Sequence, residues 1–144
     1  MLILDFIITD NQNLQLDELS KLSKNIYVEK TIQFKKTKIG SFYLYFTYVG
    51  KYEEILNHKE NTKFIVGNVL AFNNQSINID TIQNDYVKFS KIYKKDLDIV
   101  RNILGSSVMV SIKNEIISFR SDLISTIPTF FYVMSDGSHI FSSH

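Results

Sequence analysis

Cysteine is absent from this chain of 144 residues. Without it the chain has no disulfide, no zinc–thiolate site and no thiol nucleophile. Tryptophan is absent too, and proline occurs once, at Pro128. The two signs of charge nearly balance, with a formal net charge of +1. The composition therefore lacks the excess of positive charge that is typical of proteins binding duplex nucleic acid.

Long apolar runs and targeting signals are also missing. No window reaches the roughly 18 apolar residues of a membrane-spanning helix. The first ten residues contain two aspartates and no basic residue, which does not fit a secretory signal peptide. We therefore expect a cytoplasmic protein that does not enter a membrane. The length and a hydrophobic fraction of 44% predict one globular domain, residues 1–144.

Apolar residues alternate with polar ones, or form short runs, in many separate stretches. Such stretches predict β-strands, and their Ile, Val, Phe and Tyr content favours the same structure. Two-residue turns are expected at Lys113-Asn114 and Asp136-Gly137. The predicted strands cover residues 2–8, 30–35, 41–49, 63–72, 107–112, 115–120, 129–134 and 139–143.

Apolar residues at helical spacing predict three helices between these strands. Asn13 is the expected N-cap of the first helix, and Asp80 or Thr81 begins the second. Gly105 is expected to end the third helix as a left-handed C-cap. Strands and helices together place the chain in the α+β class. The helices cover residues 16–26, 82–93 and 97–104.

Few side chains suggest a reactive site. The three histidines are far apart and have no carboxylate at ligand spacing, so we expect no metal site. Glu53 and Glu54 lie in a polar stretch, where nothing indicates the pocket that a catalytic carboxylate pair needs. The pairs Ser106-Ser107 and Ser142-Ser143 have no neighbouring base. The residues alone therefore predict neither an active site nor a cofactor.

The aromatic strand 41–49 allows two interpretations. One face would carry Tyr43 and Tyr45, next to a Lys-Ile-Gly turn that resembles the stacking sheets of RNA-recognition domains. This favours a free-standing module that binds a peptide or a nucleic acid. The near-neutral charge favours instead an ordinary strand with one buried face, formed by alternate residues from Phe42 to Tyr48, and one half-exposed face.

The C-terminal segment 104–144 carries the most specific pattern. Leu104-Gly105 opens a strand, a hairpin and a second strand; Ser121-Asp122 and Pro128 follow; and Phe141 begins the last strand. This order resembles the class II glutamine amidotransferase domain of asparagine synthetases. The family pattern there is Arg-Asp-x-x-Gly-x-x-Pro-Leu-Tyr-Tyr, followed by a Phe-Ala-Ser-Glu strand.

The resemblance implies a fold and a pocket. The fold would be the Ntn-hydrolase type, a sandwich of two mainly antiparallel sheets flanked by helices. Pro128 would return the chain to the sheet, and Phe130 and Phe131 would pack inside it. The pocket would contain Leu2, Val66-Gly67-Asn68 in place of the family's Asn-Gly-Glu, and Asp85 in place of a family aspartate.

The same resemblance implies that the pocket is degenerate. The family's nucleophile is an N-terminal cysteine, and Leu2 stands in its place. Val66 has no side-chain donor for an oxyanion, and residues 42–49 contain no arginine for the glutamine carboxylate. A domain that has lost its cysteine is similar to the first domains of β-lactam synthetases and lasso-peptide cyclases. A hydrolase with a displaced nucleophile is the least favoured interpretation.

The resemblance also implies partners. An inactive domain would act as a structural or docking module for an ATP-dependent, amide-forming domain or chain, or it would self-associate. The family continues with further strands after the one in which this chain ends, so truncation of the fold at the C-terminus is left open. We expect an unpaired sheet edge at Ile140 and Phe141, which a partner or a second copy would cover.

Overall fold

A computed structural model describes residues 1–14, 32–54, 61–122 and 127–143. The predicted helix 16–26 lies outside these residues. The described part is largely β, with a mixed sheet and two short helices, in agreement with the α+β class.

Most strands lie close to the predicted stretches. The second begins and ends later than expected, and the strand predicted at 107–112 begins at Ile103, inside the predicted helix 97–104. The short strand Gln75–Ser76 was not predicted. The two helices that the structure describes begin at or next to the expected residues, because their apolar spacing marks one buried face. In chain order the elements are β1 (Leu2–Thr9), β2 (Gln33–Ile39), β3 (Phe42–Val49), β4 (Asn61–Phe72), β5 (Gln75–Ser76), α1 (Ile82–Ser90), α2 (Asp96–Arg101), β6 (Ile103–Lys113), β7 (Ile116–Ser121), β8 (Phe130–Val133) and β9 (His139–Ser142).

The sheet is ordered β2-β3-β1-β4-β6-β7 and branches at β1. β3 runs antiparallel along one side of β1. On the other side, β4 runs parallel beside the start of β1, where Ile3 is opposite Val66. β9 runs antiparallel beside its end, from Ile7 to Thr9, and β8 pairs with β9. The start of the chain therefore lies at the centre of the sheet.

Both faces of the sheet are buried, which divides the core in two. In β4, Phe64 and Val66 pack on one face with Phe6 and Phe46. The intervening Ile65 packs on the other face, beneath α1 and α2. This explains why β4 is a nearly continuous apolar run rather than a strict alternation.

Gly105 corrects the expected helix end. It lies inside β6, with φ +123°, where the register between β4 and β6 shifts. A Cβ at this position would be 2.2 Å from the carbonyl oxygen of Asn68, so the close strand contact requires glycine. The helix ends earlier, with Asn102 as its C-cap.

The turns of the two hairpins can also be compared with their predictions. The β6–β7 turn is at Asn114-Glu115, one residue later than expected. Both residues have positive φ, 49° and 62°, as a type I′ turn requires. The turn at Asp136-Gly137 is confirmed, and the N–H of Gly137 donates to the carbonyl of Met134 at 2.9 Å.

Candidate functional site

The start of the chain is held by a buried ion pair. Met1 is fully buried, and its amino group lies 2.7 Å from Oε2 of Glu53. The same amino group donates to the carbonyl of Ile79. We call the group formed by Met1, Glu53, Gln83 and Asn84 the N-terminal corner.

Glu53 also caps helix α1. Its Oε2 accepts the N–H of Gln83 at 3.1 Å, and its Oε1 accepts the N–H of Asn84 at 2.9 Å. The side-chain amide of Asn84 donates to the same Oε1 at 2.6 Å. The first N–H groups of a helix have no partner within the helix. Here the carboxylate of Glu53, from a distant loop, accepts hydrogen bonds from two of these N–H groups. Its negative charge also interacts favourably with the positive end of the helix dipole.

Gln83 connects the helix to the sheet. It is fully buried, and its Nε2 donates to the carbonyls of Met1 at 3.1 Å and Ile65 at 2.8 Å. Its Oε1 accepts the N–H of Ile65 at 2.9 Å. The amide thus bridges β1 and β4 beside their parallel pairing. The ammonium group held by Glu53 has no lone pair, so the corner positions structural elements and does not attack a substrate.

The residues of the expected pocket are separated by the sheet. Leu2 packs with the core beneath the helices, whereas Val66 packs in the opposite core. Gly67 has φ +110°, and a Cβ there would be 2.2 Å from Cδ1 of Ile127. Asn68 is exposed. The four residues are close in the sheet but do not line a common pocket, because neighbouring positions in a strand point to opposite faces.

Asp85, the fifth expected pocket residue, lies on the solvent side of α1. Its carboxylate accepts a hydrogen bond from Thr81 at 2.7 Å and lies 4.0 Å from the amino group of Lys88. The residue of α1 that reaches the start of β1 is Gln83. The sequence contained one signal for it, since Gln83 shares the helix face of Tyr86. A polar residue on an apolar face indicates a buried hydrogen-bonding role.

Asp122, which the resemblance matched to a family aspartate, extends the pairing of β6 and β7. Its carboxylate accepts the N–H of Ser107 at 2.9 Å, and its own N–H donates to the Ser107 carbonyl at 2.9 Å. The hydroxyl of Ser107 is buried and has no partner among the described residues. The carboxylate therefore holds the backbone of Ser107, and the two do not form a nucleophile–base pair.

The aromatic strand β3 is covered on both faces. Leu44, Phe46 and Tyr48 lie in the core, as expected. On the other face Tyr45 is only 4% exposed. The amino group of Lys36 lies 4.8 Å from the ring centre of Tyr43 and 5.0 Å from that of Tyr45. These rings are occupied by the protein's own side chains, which disfavours a stacking platform for nucleic-acid bases.

The expected burial of Phe130 and Phe131 is wrong. They are 41% and 55% exposed, Tyr132 is 47% exposed, and Pro128 before them is exposed as well. Within the described strands, β8 pairs with β9 alone. The interior position is taken by Phe141 of β9, whose ring lies 4.9 Å from that of Phe131. We call residues 130–142 the C-terminal hairpin.

The expected free edge at Ile140 and Phe141 is also wrong. Strand β9 lies between β1 and β8, so its backbone is paired on both sides. The edge strand is β8 instead, and both of its faces are exposed. The apolar strand offered to solvent is therefore Phe130–Val133.

Asp10 and His139 anchor the C-terminal hairpin. The backbone N–H of His139 donates to Oδ1 of Asp10 at 2.7 Å, and its ring Nδ1 lies 2.8 Å from Oδ2. Burial acts to raise the pKa of Asp10, but the hydrogen bonds from His139 and its positive charge lower that pKa below its usual value. The other two histidines, His58 and His144, lie outside the described residues.

Within residues 1–14, 32–54, 61–122 and 127–143, no three His, Asp or Glu side chains are grouped so that they could hold a metal ion. No helix in those ranges has the length and apolar character needed to cross a membrane.

Comparisons with models of protein families, with curated proteins and with solved structures found no match to this chain. The resemblance to amidotransferase domains therefore rests on the sequence pattern alone.

Proposed function

We propose that this chain is a catalytically inactive, glutaminase-like domain of an asparagine-synthetase-like system, and that it serves as a docking module. Its partner is the ATP-dependent, amide-forming domain or chain of that system. The Ntn-type sandwich of two sheets and a cytoplasmic location belong to the same proposal. The observation that carries it is the exposed aromatic edge strand β8, Phe130–Val133.

The inactive state is supported by the N-terminal corner. Leu2 stands at the family's cysteine position, and a hydrocarbon side chain cannot attack an amide. The family's base is the free amine of the residue at this position, which the preceding Met1 blocks here. The amino group of Met1 itself is fully buried and lies 2.7 Å from Oε2 of Glu53. Leu2 and Val66 point into opposite cores, so restoring cysteine at position 2 would not rebuild a substrate pocket.

The docking role is supported by the chemistry of β8. One backbone edge of this strand has no partner among the described residues, and the residues from 127 to 135 carry no charge. Edge strands of stable soluble proteins are usually protected by charge, proline inside the strand or a covering element. An unprotected aromatic edge suits strand addition, in which backbone hydrogen bonds and aromatic anchors act together. We assign the occupant as an edge strand of the amide-forming partner.

A photo-crosslinking experiment tests the docking role. A benzoylphenylalanine placed at Phe131 in the native host should crosslink to a protein with an ATP-binding, amide-forming domain, at one of its strands. The matched control is the same group at Ile116, which is 65% exposed on the edge strand β7. Crosslinking from Ile116 to the same protein, or from Phe131 only to unrelated proteins or to a second copy, would contradict the proposal.

A direct assay tests the inactive state. The purified chain should release no ammonia from glutamine above a blank, and neither should the Leu2→Cys variant. Ammonia release that persists through repurification would contradict this part of the proposal and would favour the displaced-nucleophile interpretation.

A further inference from the structure

An open pocket of about 220 Å³ lies between the helices and the outer part of the sheet. Strands β4, β6 and β7 contribute Lys63, Ser111, Ser118 and Arg120, and the helices contribute Tyr86 and Asp96. None of these residues belongs to the N-terminal corner or the C-terminal hairpin. The pocket is therefore independent of the proposed docking role.

The strand register places the polar groups of the pocket in order. Lys63 is opposite Ser111, and Ser111 is opposite Ser118, so these three form one row across the strands. Arg120 is opposite Met109, in the next row on the same face. Neighbouring strands are about 4.8 Å apart, so a cation and two hydroxyl groups lie within reach of one small ligand.

The charges in the pocket do not cancel. Arg120 is paired with Asp96, whereas Lys63 has no carboxylate partner in the described part of the chain. Two cations and one carboxylate leave a net charge of +1. A ligand with a single negative charge would neutralise the net charge of the pocket.

Three hydroxyl groups are available to bind the same charge. Those of Ser111, Ser118 and Tyr86 make no hydrogen bond to any described residue. Burial raises the pKa of the Tyr86 hydroxyl, and the carboxylate of Asp96 raises it further, although Arg120 acts in the opposite direction. Tyr86 therefore keeps its proton and remains a hydrogen-bond donor at neutral pH.

The remaining lining is apolar. Met109 and Ile99 are 5% and 7% exposed and lie beneath the polar groups. Ligand sites typically combine such an apolar lining with a few convergent polar groups. Because Met109 and Ile99 are nearly buried, the accessible lining is mainly polar. Asp96 disfavours a doubly charged group such as phosphate.

We infer that this pocket binds a small organic carboxylate, with the carboxylate on Lys63 and the hydroxyls of Ser111 and Ser118. This is a binding site and not a second catalytic centre. A free carboxylate suffices for recognition, so the inference does not depend on any partner protein.

Methionine methyl signals in NMR give a specific test with hexanoate as the probe. The full chain has three methionines, of which Met109 lines the pocket, Met1 lies in the N-terminal corner and Met134 lies in the C-terminal hairpin. Hexanoate should shift the Met109 signal saturably and leave the other two unchanged. Inorganic phosphate at equal concentration should bind more weakly.

Matched variants make the test decisive. Lys63→Gln should weaken hexanoate binding about tenfold, because it removes a charge-assisted hydrogen bond. Lys88→Gln removes the same charge from an exposed position on α1 and should leave the affinity within about twofold, since exposed charges are screened. If the Met1 and Met134 signals of Lys63→Gln report misfolding, Ser118→Ala replaces it and should weaken binding about threefold.

Several results would overturn the inference. They are an unresponsive Met109 signal, equal binding of phosphate and hexanoate, and equal effects of Lys63→Gln and Lys88→Gln. A shift of all three methionine signals together would show nonspecific binding and would overturn it as well.

Discussion

The N-terminal corner and the C-terminal hairpin differ in which side chains they bury. The corner buries an ammonium group, a carboxylate and an amide that residue chemistry would place at the surface. The hairpin exposes phenylalanine and tyrosine, which residue chemistry would place inside. Burial is therefore decided here by a residue's place in the sheet. The start of β1 lies at the sheet's centre, and β8 lies at its edge.

The difference separates two roles. In the corner every polar group of Glu53 and Gln83 has a partner, so this region is closed and its contribution is to stability. In the hairpin the apolar groups of β8 have no cover among the described residues, so this region is open to another molecule. Substitutions in the two regions should therefore change different properties.

The largest loss of stability is expected from Glu53→Ala. This change leaves the buried amino group of Met1 without its counter-charge and uncaps α1, which should lower the free energy of unfolding by about 3–5 kcal/mol. Denaturant unfolding measures the loss. Glu54→Ala is the control, because Glu54 is adjacent and exposed and should change stability by less than about 0.5 kcal/mol. Equal effects of the two changes would refute the closed corner.

A smaller loss is expected from Gln83→Ala. It removes three hydrogen bonds and leaves the Ile65 N–H and two carbonyls unpaired, so the free energy of unfolding should fall by about 2–3 kcal/mol. Asp85→Ala, on the solvent side of the same helix, should be nearly neutral. A larger effect at Asp85 than at Gln83 would restore Asp85 to the role that the family resemblance implied.

In the C-terminal hairpin, two facing phenylalanines should differ in how much they contribute to stability. Phe141→Ala opens a space against the core and should lower the free energy of unfolding by about 2–4 kcal/mol. Phe131→Ala, directly across the strand pair, should lower it by about 1 kcal/mol or less while reducing partner binding. Thermal and denaturant unfolding of both variants measure the contrast. A reversed order would place β8 in the interior after all.

The smallest expected effect concerns pH and the Asp10–His139 contact. The pKa of Asp10 is lowered by folding, so its contribution to stability is present above the pKa of the unfolded chain, about 4, and is lost as the pH falls through the folded value. Asp10→Asn should remove this part of the acid dependence, which begins as the pH falls below about 4. Unfolding curves across that range check it. An unchanged acid dependence in Asp10→Asn would show that the contact contributes nothing.

Much of the fold could be predicted from the local sequence pattern. The errors occur at positions whose conformation depends on contacts with residues distant in the sequence. Gly105 follows a helical stretch, and the same residue type serves helix ends and strand irregularities. Here Gly105 lies at a strand irregularity, because the backbone carbonyl of Asn68, distant in the chain, approaches too closely to allow a side chain. The turn after β6 is one residue later than expected, and it places Asn114 and Glu115 at positive φ.

The candidate site was less predictable than the fold. Glu53 contacts residues that are 30 or more positions away in both directions, and it lies in a stretch whose composition indicates a loop. A polar residue on an apolar helix face marked Gln83 as unusual, but its partners on β1 and β4 depend on sheet order. The residues next to Glu53 and Gln83 in the sequence therefore do not indicate which groups these two side chains contact.

The sequence by itself determined most of the described strands and both described helices, because alternation and helical spacing act over a few residues. It also determined that no thiol is available and that Leu2 cannot replace one. Only the tertiary structure decided which of two aromatic C-terminal strands enters the core. Phe131 and Phe141 have the same side chain, but β9 pairs with β1 at the centre of the sheet and β8 is left at its edge. The free energy of burying a side chain depends on what covers it, and coverage is a property of the whole fold.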